Sequence, residues 1–106
     1  MEKEIDEAIM AIDKYVEEMY RDYQCALKKI NEIIAIVRKC VLSFLNNINY
    51  YNAKGENIQE EVIIEQLKRL LCGIEKNDPI MVADILKYEI KESFTIYREL
   101  VKTYGK

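Results

Sequence analysis

The chain has 106 residues, of which half are hydrophobic and a third are charged, with 3 glycines and 1 proline. That length fits one small domain, and the scarcity of turn-forming residues favours helices. The net charge of −3 gives no general attraction to nucleic-acid phosphates, and no apolar run approaches the roughly 18 residues that a membrane span needs. We therefore expect one all-α domain over residues 1–106 that binds neither nucleic acid nor membrane.

The first predicted element is a long amphipathic helix over about residues 3–50. Acidic residues in the opening turns favour a helix start, and an asparagine-rich stretch before Lys54 and Gly55 favours an end. Apolar residues recur between them at alternating spacings of four and three, with no glycine or proline in between. These apolar positions are Ile5, Ile9, Ile12, Val16, Met19, Tyr23, Ala26, Ile30, Ile33, Val37, Cys40, Val41, Phe44 and Ile48.

Two shorter helices are predicted next, over about residues 57–76 and 79–104, and they form an antiparallel hairpin. Asn57 is the expected N-cap of the first, with a glutamate three residues later as in a capping box. Asp78 as N-cap and Pro79 at the first helical position give the second a strong start signal.

The predicted hairpin is too short to cover the whole long helix. It covers the C-terminal half and leaves the N-terminal apolar seam without a partner from its own chain. A long exposed apolar seam is unfavourable on a soluble monomer. We therefore expect a three-helix bundle that is completed by homodimerisation through the long first helix. The candidate interface residues are Ile5, Ile9, Ile12, Tyr15, Val16, Met19, Tyr20 and Tyr23.

The charge pattern favours an antiparallel dimer. Residues 1–20 carry seven acidic and two basic side chains, whereas residues 21–54 carry six basic and two acidic ones. Antiparallel pairing sets opposite charges against each other. The alternative fold is a four-helix up-down bundle with a break near residues 20–26, which would cover the seam within the chain. The heptad phase continues through that region without glycine, proline or asparagine, and this favours the continuous helix.

The residue types present argue against catalysis. The chain contains no histidine, which removes Ser-His and Cys-His dyads, zinc sites of the HExxH type and di-iron sites. The common phosphate-binding glycine motifs are missing. Cys25, Cys40 and Cys72 are widely spaced and form no CxxC pair, which is typical of reduced thiols in a cytosolic protein. We expect no enzyme activity, no catalytic residue, no cofactor and no metal site.

A helical wheel places Glu89 inside the apolar arc of the third helix, beside Ser93. A buried carboxylate must be paired or hydrogen-bonded, or its pKa rises. The expected partners are a tyrosine hydroxyl or Arg38 at the edge of the first helix's stripe. Glu89, Ser93 and Arg38 are therefore the candidate buried polar residues, and a ligand or partner site at Glu89 is the functional alternative.

The segment Asp84–Ile90 reads DILKYEI and resembles the D-x-L-x-Y-E-L stretch of a family of small, uncharacterised helical proteins from Gram-positive bacteria. The preceding turn at Asn77-Asp78 fits the same pattern. The chain departs from it at Lys91-Glu92, where the family has a proline. The resemblance covers about a third of the chain and implies a bacterial, cytoplasmic protein without an assigned activity. The general build is also similar to that of flagellar-type export chaperones, which bind helices.

Three functions are consistent with these patterns. The leading hypothesis is a non-enzymatic helical-bundle protein that acts through protein–protein interaction and self-association. The second is an export chaperone or adaptor that holds a partner's amphipathic helix against the seam Ile5–Tyr23. The third is a helical bundle that binds a small molecule, with Glu89 inside the pocket.

Overall fold

The computed structural model describes residues 2–105, and nearly all of them lie in helices. The last three segments follow one another directly, with a short π-helical turn between two α-helices. No strand occurs among residues 2–105, which confirms the all-α fold class. The elements are α1 (Glu2–Arg21), α2 (Tyr23–Lys28), α3 (Ile30–Ala53), α4 (Glu60–Glu75), α5 (Pro79–Ile85), the π turn (Leu86–Ile90) and α6 (Lys91–Tyr104).

The long helices run alternately up and down as a four-helix bundle. α1 packs against both α3 and α6, and α4 packs against α3 and α5. The bundle measures 44 × 24 × 18 Å, whereas a straight helix over residues 3–50 would alone extend about 70 Å. The chain therefore has the arrangement of the alternative prediction.

The prediction of one helix over about residues 3–50 is wrong, because the chain turns back at Asp22. This residue leaves the helical region, with φ −142° and ψ 85°. Its carboxylate accepts a hydrogen bond from the backbone N–H of Cys25 at 3.2 Å. The bond caps α2 by satisfying a donor that has no partner within the helix. The break falls inside the predicted region 20–26.

The reversal buries the α1 seam within the chain. Six of the eight candidate interface residues are at most 8% exposed. Tyr20 and Tyr23 are the other two, at 65% and 43% exposed, and lie outside the core. The expected homodimer contact and the expected helix-binding seam both need this surface to be open, and that premise is wrong. The oligomeric state itself stays a prediction. The buried six are Ile5, Ile9, Ile12, Tyr15, Val16 and Met19.

The acidic residues of α1 find basic partners in α6 of the same chain. Among the residues that the structure describes, three ion pairs connect the two helices in antiparallel order. Partly exposed pairs of this kind contribute roughly 0–1 kcal/mol each. They therefore fix the direction and register of α1 more than they add stability. The pairs are Asp6–Arg98 at 3.0 Å, Asp13–Lys91 at 2.6 Å and Glu2–Lys102 at 3.8 Å.

The start of α4 differs from the predicted capping box. Gln59, not Asn57, is the N-cap, and its side chain makes no capping hydrogen bond. The loop before α4 is held by the side chain of Asn52, which lies at the end of α3. The Asn52 side chain accepts from the backbone N–H of Ile58 at 2.8 Å and donates to its carbonyl at 3.2 Å. The loop is thus tied to α3 and not to the helix that follows it.

The start of α5 is confirmed as predicted. Asp78 is the N-cap, Pro79 opens the helix, and the Asp78 carboxylate accepts from the backbone N–H of Met81 at 3.1 Å. Gly73 lets α4 approach α5 closely, since a Cβ atom there would lie 3.1 Å from Val82 Cγ2. The hairpin therefore brings α4 against α5 and the π turn.

Ile12→Ala should lower the free energy of unfolding by about 2–5 kcal/mol, because removing a fully buried side chain leaves a cavity. Met10→Ala is the matched control on the outer face of α1, where the side chain is 69% exposed. It should change the free energy by less than about 0.5 kcal/mol. Urea unfolding followed by circular dichroism measures both. Equally small losses would contradict the burial of the seam.

Candidate functional site

A mainly apolar crevice of about 410 Å³ lies between α1 and α3. Ile5 contributes one wall, and Ile36 and Cys40 contribute the other. Ser43 and the fully buried Tyr97 line its inner end. The small side chains of Cys40 and Ser43 on α3 leave space that larger ones would fill, and α1 covers that space from the other side. Three charged residues complete the lining: Glu4, Glu7 and Lys39.

The Tyr97 hydroxyl is held in a polar network at the inner end of the crevice. It lies 2.7 Å from Ser43 Oγ and accepts a hydrogen bond from Asn47 Nδ2 at 3.1 Å. The Tyr97 ring stacks on Phe44, with ring centres 4.4 Å apart. Burial raises the pKa of Tyr97, and the two hydrogen bonds oppose that rise. The phenol is therefore a fixed, neutral polar group.

Cys40 adds an apolar surface to the crevice. Burial raises the pKa of its thiol to about 12, so the thiol stays protonated at neutral pH. A reactive cysteine needs a lowered pKa, because the thiolate is the nucleophile. Cys40 is free, as are Cys25 and Cys72. It therefore serves the crevice as a small hydrophobic side chain.

A second hollow of about 150 Å³ continues the same groove towards the α1–α2 turn. Ile36 lines both hollows, so the two compartments adjoin. The smaller one is more charged, since Lys14, Glu18, Lys29 and Glu32 all line it. The groove thus has an apolar compartment and a polar one.

Tyr15 is the unusual residue of the polar compartment. Its side chain is 4% exposed, and its hydroxyl has no hydrogen-bond partner within residues 2–105. Burial raises the pKa of Tyr15, and the nearby Tyr23 raises it further. Leaving a buried hydroxyl without a partner costs about 1–3 kcal/mol. The Tyr15 hydroxyl is therefore a buried polar group that the fold positions but does not satisfy.

Glu18 and Lys29 close the turn end of the polar compartment. Lys29 Nζ donates to both carboxylate oxygens of Glu18, at 3.1 and 3.2 Å. The pKa of Glu18 is lowered, first by a hydrogen bond from the Cys25 thiol and then by Lys29. The pKa of Lys29 is raised by its hydrogen bond to Glu18. Both groups are therefore charged at neutral pH.

The predicted buried polar residues lie elsewhere. Glu89 is half-buried in the π turn and accepts two hydrogen bonds from Arg69 of α4, one of them at 3.0 Å. The prediction that it is paired is confirmed, but the expected partners are wrong, because the pair is made with Arg69. Arg38 is exposed, so the prediction that it is a buried polar residue is also wrong. Ser93 is half-buried and donates to Gln66 Oε1 at 2.8 Å. These contacts connect α4 to the last helix.

Glu89 also lines a groove of about 440 Å³ beside α5, which is wide open to solvent. Its charged residues Arg69 and Glu89 pair with each other there.

Within residues 2–105, no three side chains of the metal-ligating types come together to hold an ion. No helix in that range is long and apolar enough to cross a membrane. Because the groove at Glu89 is open and its charged residues already pair with each other, the α1–α3 groove is the better candidate site.

Sequence reasoning named two residues of this groove, Ile5 and Tyr15, but assigned both to a dimer interface. It missed Ile36, Ser43 and Tyr97 as site residues. A helical pattern shows which residues share a face, but it does not show which helix lies opposite. In the sequence, the small polar residues Ser43 and Asn47 beside an apolar stripe were the pattern that could have indicated a pocket with polar groups at its inner end.

The fold and the groove define the class of this chain: an all-α up-down bundle with a crevice between two antiparallel helices. No protein-family model, curated protein or solved structure matches it. The resemblance of Asp84–Ile90 to the Gram-positive family therefore stays a prediction. Function has to be inferred from the groove itself.

Glu18 predicts a dependence of stability on acid. Its pKa is lower in the folded chain than the ordinary value of 4.5. Its contribution to stability is therefore present above pH 4.5 and is lost as the pH falls through the folded pKa. We expect Glu18→Gln to be less stable than the wild type at pH 7 and to lose less stability on acidification.

Urea midpoints measured from pH 7 to pH 2.5 test this expectation. Glu17→Gln is the matched control, because Glu17 is the exposed neighbour and pairs only with Arg21 at 3.8 Å among the described residues. It should retain the acid loss of the wild type. Identical acid profiles for the two variants would contradict a special role of Glu18.

Proposed function

We propose that this chain is a non-enzymatic binding protein that takes a small amphipathic molecule into the groove between α1 and α3. The observation that carries the proposal is the mainly apolar crevice of about 410 Å³, continued by a polar compartment lined by Tyr15, whose buried hydroxyl has no partner among the described residues. Pockets of roughly 300–1,000 Å³ with apolar walls and a few convergent polar groups are typical ligand sites, and bundles place them between helices.

The two compartments define the chemistry of the ligand. Its apolar body lies in the larger compartment, against Ile5 and Ile36. Its polar head lies in the smaller one and presents a hydrogen-bond acceptor to Tyr15. Lys14 and Glu32 flank this end with opposite charges, while Glu18 and Lys29 neutralise each other. The charges of the compartment balance, so its lining favours a compact head group with a hydrogen-bond acceptor and neither sign of charge.

The groups that line the groove favour binding over catalysis. Burial raises the pKa of both Cys40 and Tyr97. Neither is therefore prepared to attack a substrate or to exchange a proton near neutral pH, since an activated nucleophile needs a lowered pKa or an adjacent base. Action through a protein partner stays a second hypothesis, but the seam Ile5–Tyr23 is not its site, because the apolar residues of that seam from Ile5 to Met19 are buried.

Ile36→Glu should weaken the binding of 1-anilinonaphthalene-8-sulfonate by about tenfold or more, because it puts a carboxylate on the apolar wall that the two compartments share. Leu42→Glu is the matched control on the same helix. Leu42 is 46% exposed and Ile36 is 42% exposed, but Leu42 lies outside the groove. Fluorescence titration gives both affinities. Equal losses, or no saturable binding by the wild type, would contradict the proposed site.

Tyr15→Phe should weaken laurate by about three- to tenfold, because it removes one hydrogen-bond donor from the polar compartment. Dodecylammonium has the same chain but no acceptor in its head, so its affinity should not change. Competition against the fluorescent probe measures both. Tyr20→Phe, on the exposed face, is the control and should affect neither.

Stability provides a second measure of the same variant. Because the Tyr15 hydroxyl has no partner among the described residues, Tyr15→Phe should unfold at the same or a higher urea concentration than the wild type. A clear loss of stability would mean that the hydroxyl serves the fold and not a ligand.

A further inference from the structure

The heptad repeat continues through the turn that breaks the first helix, and the closed bundle leaves one position of that repeat, Tyr23, largely outside its core. Met19, Tyr23, Ala26, Ile30 and Ile33 keep the spacing of four and three across the break. Met19, Ala26 and Ile33 are buried in the closed bundle, whereas Tyr23 is 43% exposed. The repeat is what a continuous helix over this region requires.

The backbone of the turn is close to a continuous helix. Asp22 and Lys29 are the two residues between Glu2 and Ala53 that interrupt it. Helical hydrogen bonds flank both interruptions: Asp22 N–H donates to Glu18 at 2.6 Å, Ala26 N–H to Asp22 at 3.1 Å and Ile33 N–H to Lys29 at 3.1 Å. Lys29 makes no side-chain cap for α3. Straightening the turn therefore gives up the cap at Asp22 and the Glu18–Lys29 ion pair within the chain, and it gains helical hydrogen bonds.

A straightened turn would release α1 from its own bundle and expose two apolar surfaces. One is the inner face of α1, and the other is the face of α3 and α6 that receives it. These surfaces are complementary in shape and charge, as the antiparallel pairs Asp6–Arg98 and Asp13–Lys91 show. The partner that presents both surfaces is a second copy of this chain. Exchange of an identical element reproduces every contact except those of the hinge.

We propose that this chain exchanges α1 with a second copy of itself, with residues 22–29 straightening so that α1, α2 and α3 become one helix in each copy. Each groove of the dimer is then built from two chains. Ile5 and Tyr15 come from one copy, and Ile36 and Tyr97 come from the other. This proposal rests on the hinge and on the α1 seam, and it holds whether or not the groove binds a ligand.

Two hinge variants test the exchange in opposite directions. Tyr23→Pro places proline at the first position of α2, where proline fits a closed turn but interrupts a continuous helix. It should abolish the dimer and leave a folded monomer. Asp22→Ala removes the cap that closes the turn. It should raise the dimer association constant by about tenfold or more, since each dimer contains two hinges. Gln24→Ala, exposed in the same turn, is the control and should behave like the wild type.

The measurement is sedimentation velocity between 5 and 500 µM after refolding at high concentration, because exchange requires opening of the bundle. The wild type should show a dimer whose fraction rises with concentration. A wild type and an Asp22→Ala variant that both stay monomeric would overturn the proposal. A dimer that Tyr23→Pro leaves intact would overturn it too, because copies that merely dock do not need a straight hinge.

Cross-linking identifies the exchanged contact directly. One copy carries Asp6→Cys and the other carries Arg98→Cys, both with Cys25 and Cys72 replaced by serine. The copies are unfolded together and refolded, and a short bismaleimide is added. A covalent dimer of the two different copies is expected, because Asp6 and Arg98 lie 3.0 Å apart at their charged atoms. Its absence in the dimer fraction would exclude the exchange of α1.

Discussion

Closure of α1 onto α3 and α6 depends on the turn at Asp22. One carboxylate accepts the backbone N–H of Cys25 and lets a helical chain change direction without glycine or proline. Two consequences follow from this single contact. The apolar seam of α1 becomes core, with Ile5 and Ile12 at most 1% exposed. The outer edges of α1 and α3 also become neighbours, and the groove between them exists only because of that reversal.

The groove keeps its hollow because polar groups occupy the positions that would otherwise be packed. The Tyr97 hydroxyl must remain near Ser43 and Asn47, since separating them would leave buried polar atoms without partners. Stacking on Phe44 fixes the ring that carries this hydroxyl. A fully satisfied network of this kind is rigid. The unpartnered Tyr15 hydroxyl at the other end is the complementary feature, because it is positioned by the fold but not satisfied by it.

The features that could be predicted from sequence are those with local causes. Asp78 and Pro79 start a helix through their own backbone chemistry, and the apolar repeat predicts which face is buried. A break near residues 20–26 was only the alternative prediction, because aspartate also tolerates a helix, so the heptad phase and the cap at Asp22 give opposite signals. Arg69 could not be identified as the partner of Glu89, because a helical wheel gives a direction but no neighbour. The π turn over Leu86–Ile90 also shifts the register there.

The proposed exchange and the groove both involve α1, but binding of a ligand in the groove does not by itself favour the exchange. A ligand shifts an equilibrium only by its difference in affinity for the two states. The apolar compartment has the same lining in the closed and the exchanged arrangements, so an apolar body bound there favours neither. The polar compartment is different, because Glu18 and Lys29 lie beside the residues that change conformation. Any coupling between ligand and assembly must therefore act through the head group, at the end of the groove that meets the hinge.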